Sequence, residues 1–375
     1  MIISLLFIVL SIYIMRQCSL SFDIAANYLT RGFGEGVKGP TINAVASSLP
    51  ELLISSLFLF YYKDIEGFSA GYGTIIGSSA FNIALIPVIS FVYLYFKKGR
   101  NIIFDINKSI VKQDAFFLLG SIIILSFGFF FGVNIFLALS LIFFYLVYIF
   151  YVIKTRVSKK DNDSLSDEKF ITNNNLELKE KIMYTEYTTS VSALLNFKLF
   201  RIFFKGQVNK FTSTLVLLIS ILIIGASCYI LVLATEKISH ILEINLFFGA
   251  FIIAAIASSI PDTIFSIQDA ENDKFIDSFS NAYGSNIFDI CIGIGFPVLI
   301  YTLLHGSINM SMPIDRIGWL GDYIFGGNLL LWSLVILFLF SLIISVVYYV
   351  GKLNLKSAIF IFLLYITFIT SLLMF

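Results

Sequence analysis

Glu51 and Asp262 each follow a proline inside a long apolar run. That is an expensive place for a carboxylate, by roughly 3 kcal/mol at the centre of a membrane-spanning helix. In "AVASSLPELLISS" (44–56), Ser47 and Ser48 lie four and three residues before Glu51, and in "AIASSIPDTIFSI" (255–267) Ser258 and Ser259 precede Asp262 in the same way. Both spacings put the hydroxyls on the acid's own helix face. Pro50 and Pro261 have no amide proton and crowd the carbonyl four residues back, so the carbonyls near Ala46 and Ala257 are expected to be freed. Non-helical backbone at membrane depth is tolerated only against protein or a wet cavity. Carboxylate, hydroxyl and freed carbonyl together are hard oxygen ligands. Ca²⁺ and Na⁺ suit such ligands, and Ca²⁺ takes about six to eight of them.

A second pair of stretches extends the set. Ser78 stands four residues before Asn82 in "GTIIGSSAFNIALI" (73–86), and Ser285 four before Asp289 in "NAYGSNIFDICIGI" (281–294). Gly77 and Gly284 precede the serines and allow close helix approach. Glu51, Asn82, Asp262 and Asp289 are therefore expected to converge near the midplane. One serine in a membrane helix ordinarily bonds its own backbone, one proline kinks, and one buried Asp pairs with an Arg such as Arg16. Here the whole set occurs twice in register, which favours a cation site. Three carboxylates in a low-dielectric pocket cannot all stay ionised without counter-ions. Bound cations would neutralise the pocket and let the helices move, whereas an unloaded charged site resists occlusion. That logic describes obligatory exchange and leaves room for proton competition.

The elements that carry these residues follow from composition. The 375 residues are 58% hydrophobic and 13% charged, with mean hydropathy +0.92. Repeated apolar runs of about twenty residues, the length that crosses a bilayer, mark an all-α integral membrane protein. Ten spans are expected: 2–29, 39–62, 70–96, 113–131, 133–153, 211–235, 245–268, 278–303, 328–350 and 355–374. The first is expected to be a transmembrane helix, since no basic n-region or A-x-A site marks a cleaved signal. The polar stretch 154–210 reads as a solvated linker with a short amphipathic helix near 190–205. It divides the chain into a first repeat (1–153) and a second (211–375). Each holds five spans, and an odd number forces opposite orientations, the inverted-repeat plan of secondary transporters. Lys and Arg concentrate in the odd-numbered connections, while the even-numbered ones hold only Lys63, Lys237 and Arg316. Basic excess marks the cytoplasmic side. Both termini are thus expected outside and 154–210 in the cytoplasm.

Other features are expected to be structural. Cys18, Cys228 and Cys291 have no metal-ligand spacing and read as packing residues. Only His240 and His305 exist, both near span ends, which disfavours a zinc or histidine-based site. "QDAENDKFID" (268–277) starts like an EF-hand loop but has Lys274 at position 6 and Ser280 at position 12, so it reads as a connector. Asp23 reads as a helix-end residue. "GWLGDY" (318–323) lacks the glycine two residues before Gly-Asp that an intramembrane aspartyl protease needs. A net charge of +1 says nothing about partners, and no nucleic-acid partner is expected.

The paired "SSLPE" and "SSIPD", with "GSSAFN" and "GSNIFD", resemble the two α-repeats of the cation/Ca²⁺ exchanger superfamily, sodium/calcium exchanger type. The stretch 234–262 resembles it too, while the remaining spans match only in hydropathy. The resemblance implies ten helices in two inverted five-helix repeats and exchange of Ca²⁺ for Na⁺ at a shared midplane site, with no cofactor. It assigns Glu51 and Asp262 as the central Ca²⁺ carboxylates, completed by Asn82 and Asp289. Ser47, Ser48, Ser78, Ser258, Ser259 and Ser285 would serve Na⁺, with the carbonyls of Ala44 and Ala255. The chain is expected to work as a monomer in the cell membrane. Asp289 is reminiscent of the potassium-dependent branch, so K⁺ co-transport stays open. The family's usual Gly-Thr-Ser is replaced by Ala46-Ser47-Ser48 and Ala257-Ser258-Ser259, and its usual Asn by Ser79. Glu51 and Asn82 are 31 positions apart, against 27 for Asp262 and Asp289. These departures leave stoichiometry and coupling ion open. The nearest rival reading is a cation/proton antiporter on the same scaffold, although the Gly-Asn-x-x-Glu repeats of proton-coupled relatives are absent. More distant rivals are a cation channel and a di-aspartyl protease built on Asp262 and Asp289.

Overall fold

A computed structural model describes residues 1–29, 44–99, 108–157, 193, 196–204, 209–271, 275–308, 329–350 and 352–374. The expected stretch "GWLGDY", most of 154–210 and the start of the second span lie outside the described residues. Among the described residues, nine helices are long and apolar enough to cross a membrane, and Leu49–Tyr62 is a shorter apolar one. With that shorter helix they make the ten spans of two five-helix repeats.

The first repeat holds α1 (Ile2–Leu29), α2 (Ala44–Ser47), α3 (Leu49–Tyr62), α4 (Asp64–Lys98), α5 (Lys108–Phe131) and α6 (Ile135–Val157). A six-residue helix, α7 (Leu199–Phe204), is all that is described of the expected amphipathic helix. Nearby, Tyr13 donates to Asn196 at 2.7 Å and ties this stretch to α1. The second repeat holds α8 (Lys210–Ile241), α9 (Leu246–Gly249), a π-helical turn (Ala250–Ala254), α10 (Ala255–Ser258) and α11 (Ile260–Glu271). It continues with α12 (Phe275–Phe288), a second π turn (Asp289–Ile294), α13 (Gly295–His305), α14 (Leu329–Val350) and α15 (Leu355–Leu373).

The core is built on α4, which packs against α3, the first π turn, α11, α12, α14 and α15. The long helices α1 and α8, equivalent by the repeat, lie along each other. Glycines on α4 make the approach possible. A β-carbon on Gly67 would sit 2.5 Å from the Phe58 carbonyl oxygen, and one on Gly77 would sit 2.1 Å from that of Phe251. The outward faces carry exposed Phe116, Phe136, Phe150, Leu222, Leu303 and Leu363, as expected of a surface solvated by acyl chains rather than water.

Two expectations are corrected. Both broken spans bend at the serine, not at the proline. Ser48 (φ −88°, ψ 6°) ends α2, and Pro50 stands in the first turn of α3. Ser259 (φ −78°, ψ −2°) ends α10 in the same way, just before Pro261. Proline lacks only a proton that a first-turn residue has no helical use for, so starting a fresh helix at it costs less than kinking one. The third span also starts earlier than its apolar run, at Asp64, with Asp64 and Glu66 in its first turn. Acids there complement the helix dipole.

Candidate cation site

The break between α2 and α3 places Glu51 in the first turn of α3, and that between α10 and α11 places Asp262 in the first turn of α11. Ser78 and Asn82 come from α4, Ser285 from α12, and Asp289 from the start of the second π turn. Glu51, Asp262, Asp289, Asn82 and all six candidate serines are fully buried.

The repeats give two equivalent contacts. Ser78 donates to Glu51 Oε1 at 3.3 Å, and Ser285 donates to Asp262 Oδ1 at 2.8 Å. Other bonds join one repeat to the other. Ser78 Oγ lies 2.9 Å from Ser259 Oγ and also reaches Asp289 Oδ2 at 3.3 Å. Asn82 Nδ2 donates to Ser78 Oγ at 3.2 Å and to Asp262 Oδ2 at 3.4 Å. Ser47 Oγ meets Ser285 Oγ at 3.4 Å. Ser258 lies against the Glu51 carboxylate, Ser47 against Asp262 and Ser48 beside Asp289. The pseudo-symmetry is imperfect here, because Ser78 meets Ser259 whereas Ser285 meets Ser47 rather than Ser48.

Three of the expected acids and the asparagine are thus linked in one network, Glu51–Ser78–Asp289 and Ser78–Asn82–Asp262. Among the described residues no three Asp, Glu, His or Cys side chains close on one metal-sized point. Ser78 and Asn82 stand between the carboxylates, so a cation here would be held by mixed oxygens. Glu51 Oε2, Asp289 Oδ1 and Asn82 Oδ1 are buried with no hydrogen-bond partner. The one ion pair among the described residues is Lys97–Glu271, away from this network. Arg16 is exposed, so it does not neutralise a buried acid.

The carbonyls of Ala44 and Ala255 both accept hydrogen bonds in this structure. Ala44 O accepts from Ser48 N at 2.9 Å and from Ser47 Oγ at 3.3 Å. Ala255 O accepts from Ser259 N and from Ser258 Oγ, both at 3.1 Å. Both carbonyls are already doubly occupied, whereas those of Ala46 and Ala257 face prolines that cannot donate. The cysteines are buried and free, and Cys228 packs 3.8 Å from Met15 Sδ. His305 packs against Tyr301 in a tilted arrangement with ring centroids 4.8 Å apart, outside the network.

Sequence reasoning missed Asn281, Ser266 and Ser278. Asn281 Nδ2 donates to Asp262 Oδ1 at 3.4 Å and to Ser266 Oγ at 3.5 Å. Ser266 and Ser278 exchange hydroxyl-to-carbonyl bonds of 3.3 and 2.7 Å. The available signal was spacing, since Asn281, Ser285 and Asp289 form a stripe at intervals of four on one helix face.

Two five-helix halves meeting on buried carboxylates, hydroxyls and amides define a polytopic membrane transporter rather than an enzyme. The chain belongs to the sodium/calcium exchanger protein family, whose model matches residues 2–154 and 212–374. It is 38% identical over 64 residues to the sodium/calcium exchanger Calx of Drosophila melanogaster, a match spanning 17% of this chain and 7% of that one. In structure it is similar to the H⁺/Ca²⁺ exchanger CAX, with a TM-score of 0.63, 17% identity, and coverage of 98% of this chain and 80% of the other. It is also similar to the sodium-calcium exchanger NCX_Mj, with a TM-score of 0.58, 18% identity and coverage of 99% of each chain. At these identities the likeness is one of fold.

Proposed function

We propose that this protein is a secondary-active antiporter that exchanges Ca²⁺ for Na⁺ by alternating access. The observation that carries the reading is the deficit of positive charge at the repeat interface. Three fully buried carboxylates have no Lys or Arg partner among the described residues, and oxygens of Glu51, Asp289 and Asn82 lack any hydrogen bond. Hard cations supply what such oxygens lack. In this reading Glu51 and Asp262, with Asn82 and Asp289, hold Ca²⁺, while Ser47, Ser48, Ser78, Ser258, Ser259 and Ser285 contribute hydroxyls to Na⁺. The carbonyls of Ala44 and Ala255 join only if they give up a present hydrogen bond. Loading neutralises the carboxylates and so permits the two halves to move, which couples one ion's passage to the other's. The protein works as a monomer in the cell membrane, with both termini outside and 154–210 cytoplasmic.

The second reading is a cation/proton antiporter, favoured by the likeness to an H⁺/Ca²⁺ exchanger. Purified protein in liposomes separates the two. An outward Na⁺ gradient is expected to drive ⁴⁵Ca²⁺ uptake above the no-gradient rate. Uptake that follows a pH gradient and ignores Na⁺ would establish the second reading instead. A K⁺ requirement added to the Na⁺ response would place the chain with potassium-dependent exchange.

A further inference from the structure

The two repeats supply the site unequally, and the difference lies at Asn281. Its first-repeat equivalent, set by pairing Ser78 with Ser285, is Thr74. The Thr74 hydroxyl is turned to its own helix and donates to Ala70 O at 3.2 Å. On the same helix a β-carbon on Gly71 would sit 2.9 Å from the Ser55 carbonyl oxygen, so α3 and α4 close directly on each other there. In the second repeat, Ser278 occupies the Gly71 position, and Ser266 and Ser278 bond across the gap between α11 and α12. Asn281 stands beside that pair, fully buried, with its Oδ1 lacking a hydrogen-bond partner.

A buried amide oxygen without a donor is destabilising, and here it belongs to the side chain that touches Asp262. The contacts made by the other end of the amide, at 3.4 and 3.5 Å, are long, and bonds of that length are weak. Oxygen and nitrogen ends of an amide have nearly the same shape, so a half-turn of the side chain brings Oδ1 to Asp262 in place of Nδ2. An N–H beside the carboxylate would repel a cation held there, whereas the oxygen would ligate it.

We propose that Asn281 Oδ1, Asp262 Oδ1 and Ser285 Oγ form a station for one monovalent hard cation, on the α11–α12 side of the site. This rests on the exchanger reading and deepens it, by adding a ligand that the doubled motifs do not include. One carboxylate with neutral amide and hydroxyl oxygens balances a single positive charge, which suits Na⁺ better than Ca²⁺. Beside Glu51 the first repeat has no such amide, because Thr74 stands at that position with its hydroxyl turned to Ala70 O, and Gly71 has no side chain. The two halves of the site therefore offer a monovalent ion different ligands.

Two measurements test the proposal. In detergent without Ca²⁺, Na⁺ is expected to raise the thermal midpoint of the parent protein through binding to the folded state. Asn281→Leu is expected to shift the Na⁺ concentration needed for that effect upward about tenfold, the scale of one lost polar contact to a charged group. In liposomes the same variant is expected to raise the Na⁺ half-saturation of Ca²⁺ exchange more than the Ca²⁺ half-saturation. Asn281→Asp, which restores an oxygen, is expected to recover Na⁺ binding. Thr74→Val serves as the control and should match the parent in both assays. An unaltered Na⁺ response in Asn281→Leu overturns the station, and so does an equal loss for Na⁺ and Ca²⁺. Failure of the exchanger reading itself would show in the parent, as Ca²⁺ flux without exchange, while the detergent assay still reads Na⁺ at Asn281.

Discussion

Glu51→Gln and Asp262→Asn are each expected to abolish Ca²⁺ transport while leaving a folded protein. Each change removes one unit charge from the set of oxygens around a divalent ion and alters little else in shape. Two unit charges about 4 Å apart interact by roughly 4 kcal/mol at an effective dielectric near 20. A divalent ion gains more, so a loss of about a thousandfold in Ca²⁺ affinity is the lower bound. Stability should move the other way. Both acids are fully buried, and neither has a Lys or Arg partner among the described residues, so their charge favours function at the expense of the fold. The expected result is ⁴⁵Ca²⁺ uptake at the level of protein-free liposomes, with a thermal midpoint equal to or above that of the parent. Normal uptake in either variant would remove that residue from the site.

Gly77→Ala is expected to have the second largest effect, although it touches no ion. The new β-carbon would stand 2.1 Å from the Phe251 carbonyl oxygen and 2.7 Å from the Ala255 β-carbon. Both obstacles are backbone or bound directly to it, so no rotamer change relieves them. Helix α4 must withdraw from the first π turn and α10. Overpacking of this kind costs about 1–3 kcal/mol. The larger consequence is geometric, because Ser78 follows Gly77 and bonds Ser259, just beyond α10. A displacement near 1 Å in a preorganised site costs on the order of a hundredfold in rate. Gly225→Ala on α8 provides the contrast. Its nearest neighbour would be Leu53 Cδ1 at 4.0 Å, and Ala for Gly inside a helix is worth about 1 kcal/mol. Gly225→Ala should transport normally and melt higher. Ca²⁺ uptake and thermal midpoints of the two variants, measured side by side, check both halves of the prediction. Normal transport by Gly77→Ala would show that the approach of α4 to the π turn does not position the serines.

Much of the site was legible because it is written twice. Ser47 and Ser258, Glu51 and Asp262, and Ser78 and Ser285 match across the halves, and spacings of three and four residues place each on a helix face. Residues without a matched partner were not legible. Asn281 pairs with Thr74, so the comparison that exposed the other residues of the network hid this one. The doubly bonded carbonyls of Ala44 and Ala255 were equally invisible, since the serine hydroxyl that reaches back to each depends on where the helix breaks. A proline in a sequence announces a break without stating which residue takes the turn, and here Ser48 and Ser259 take it.

Read on its own, the chain specifies the number of spans, their rough limits, the repeat and the chemical character of the buried groups. Those properties are local, since apolar runs long enough for a bilayer and helix-periodic polar stripes depend only on neighbours along the chain. Which hydroxyl meets which acid was decided by the tertiary structure. Ser78 and Ser259 lie 181 residues apart, Asn82 and Asp262 180, and Ser47 and Ser285 238. These contacts arise where helices of opposite halves cross, and neither helix's own pattern states which of its residues meets the other at the crossing. Ser285 thus finds Ser47 where the repeat alone would offer Ser48, because the packing of the two halves, and not the spacing within either, sets which hydroxyls face each other.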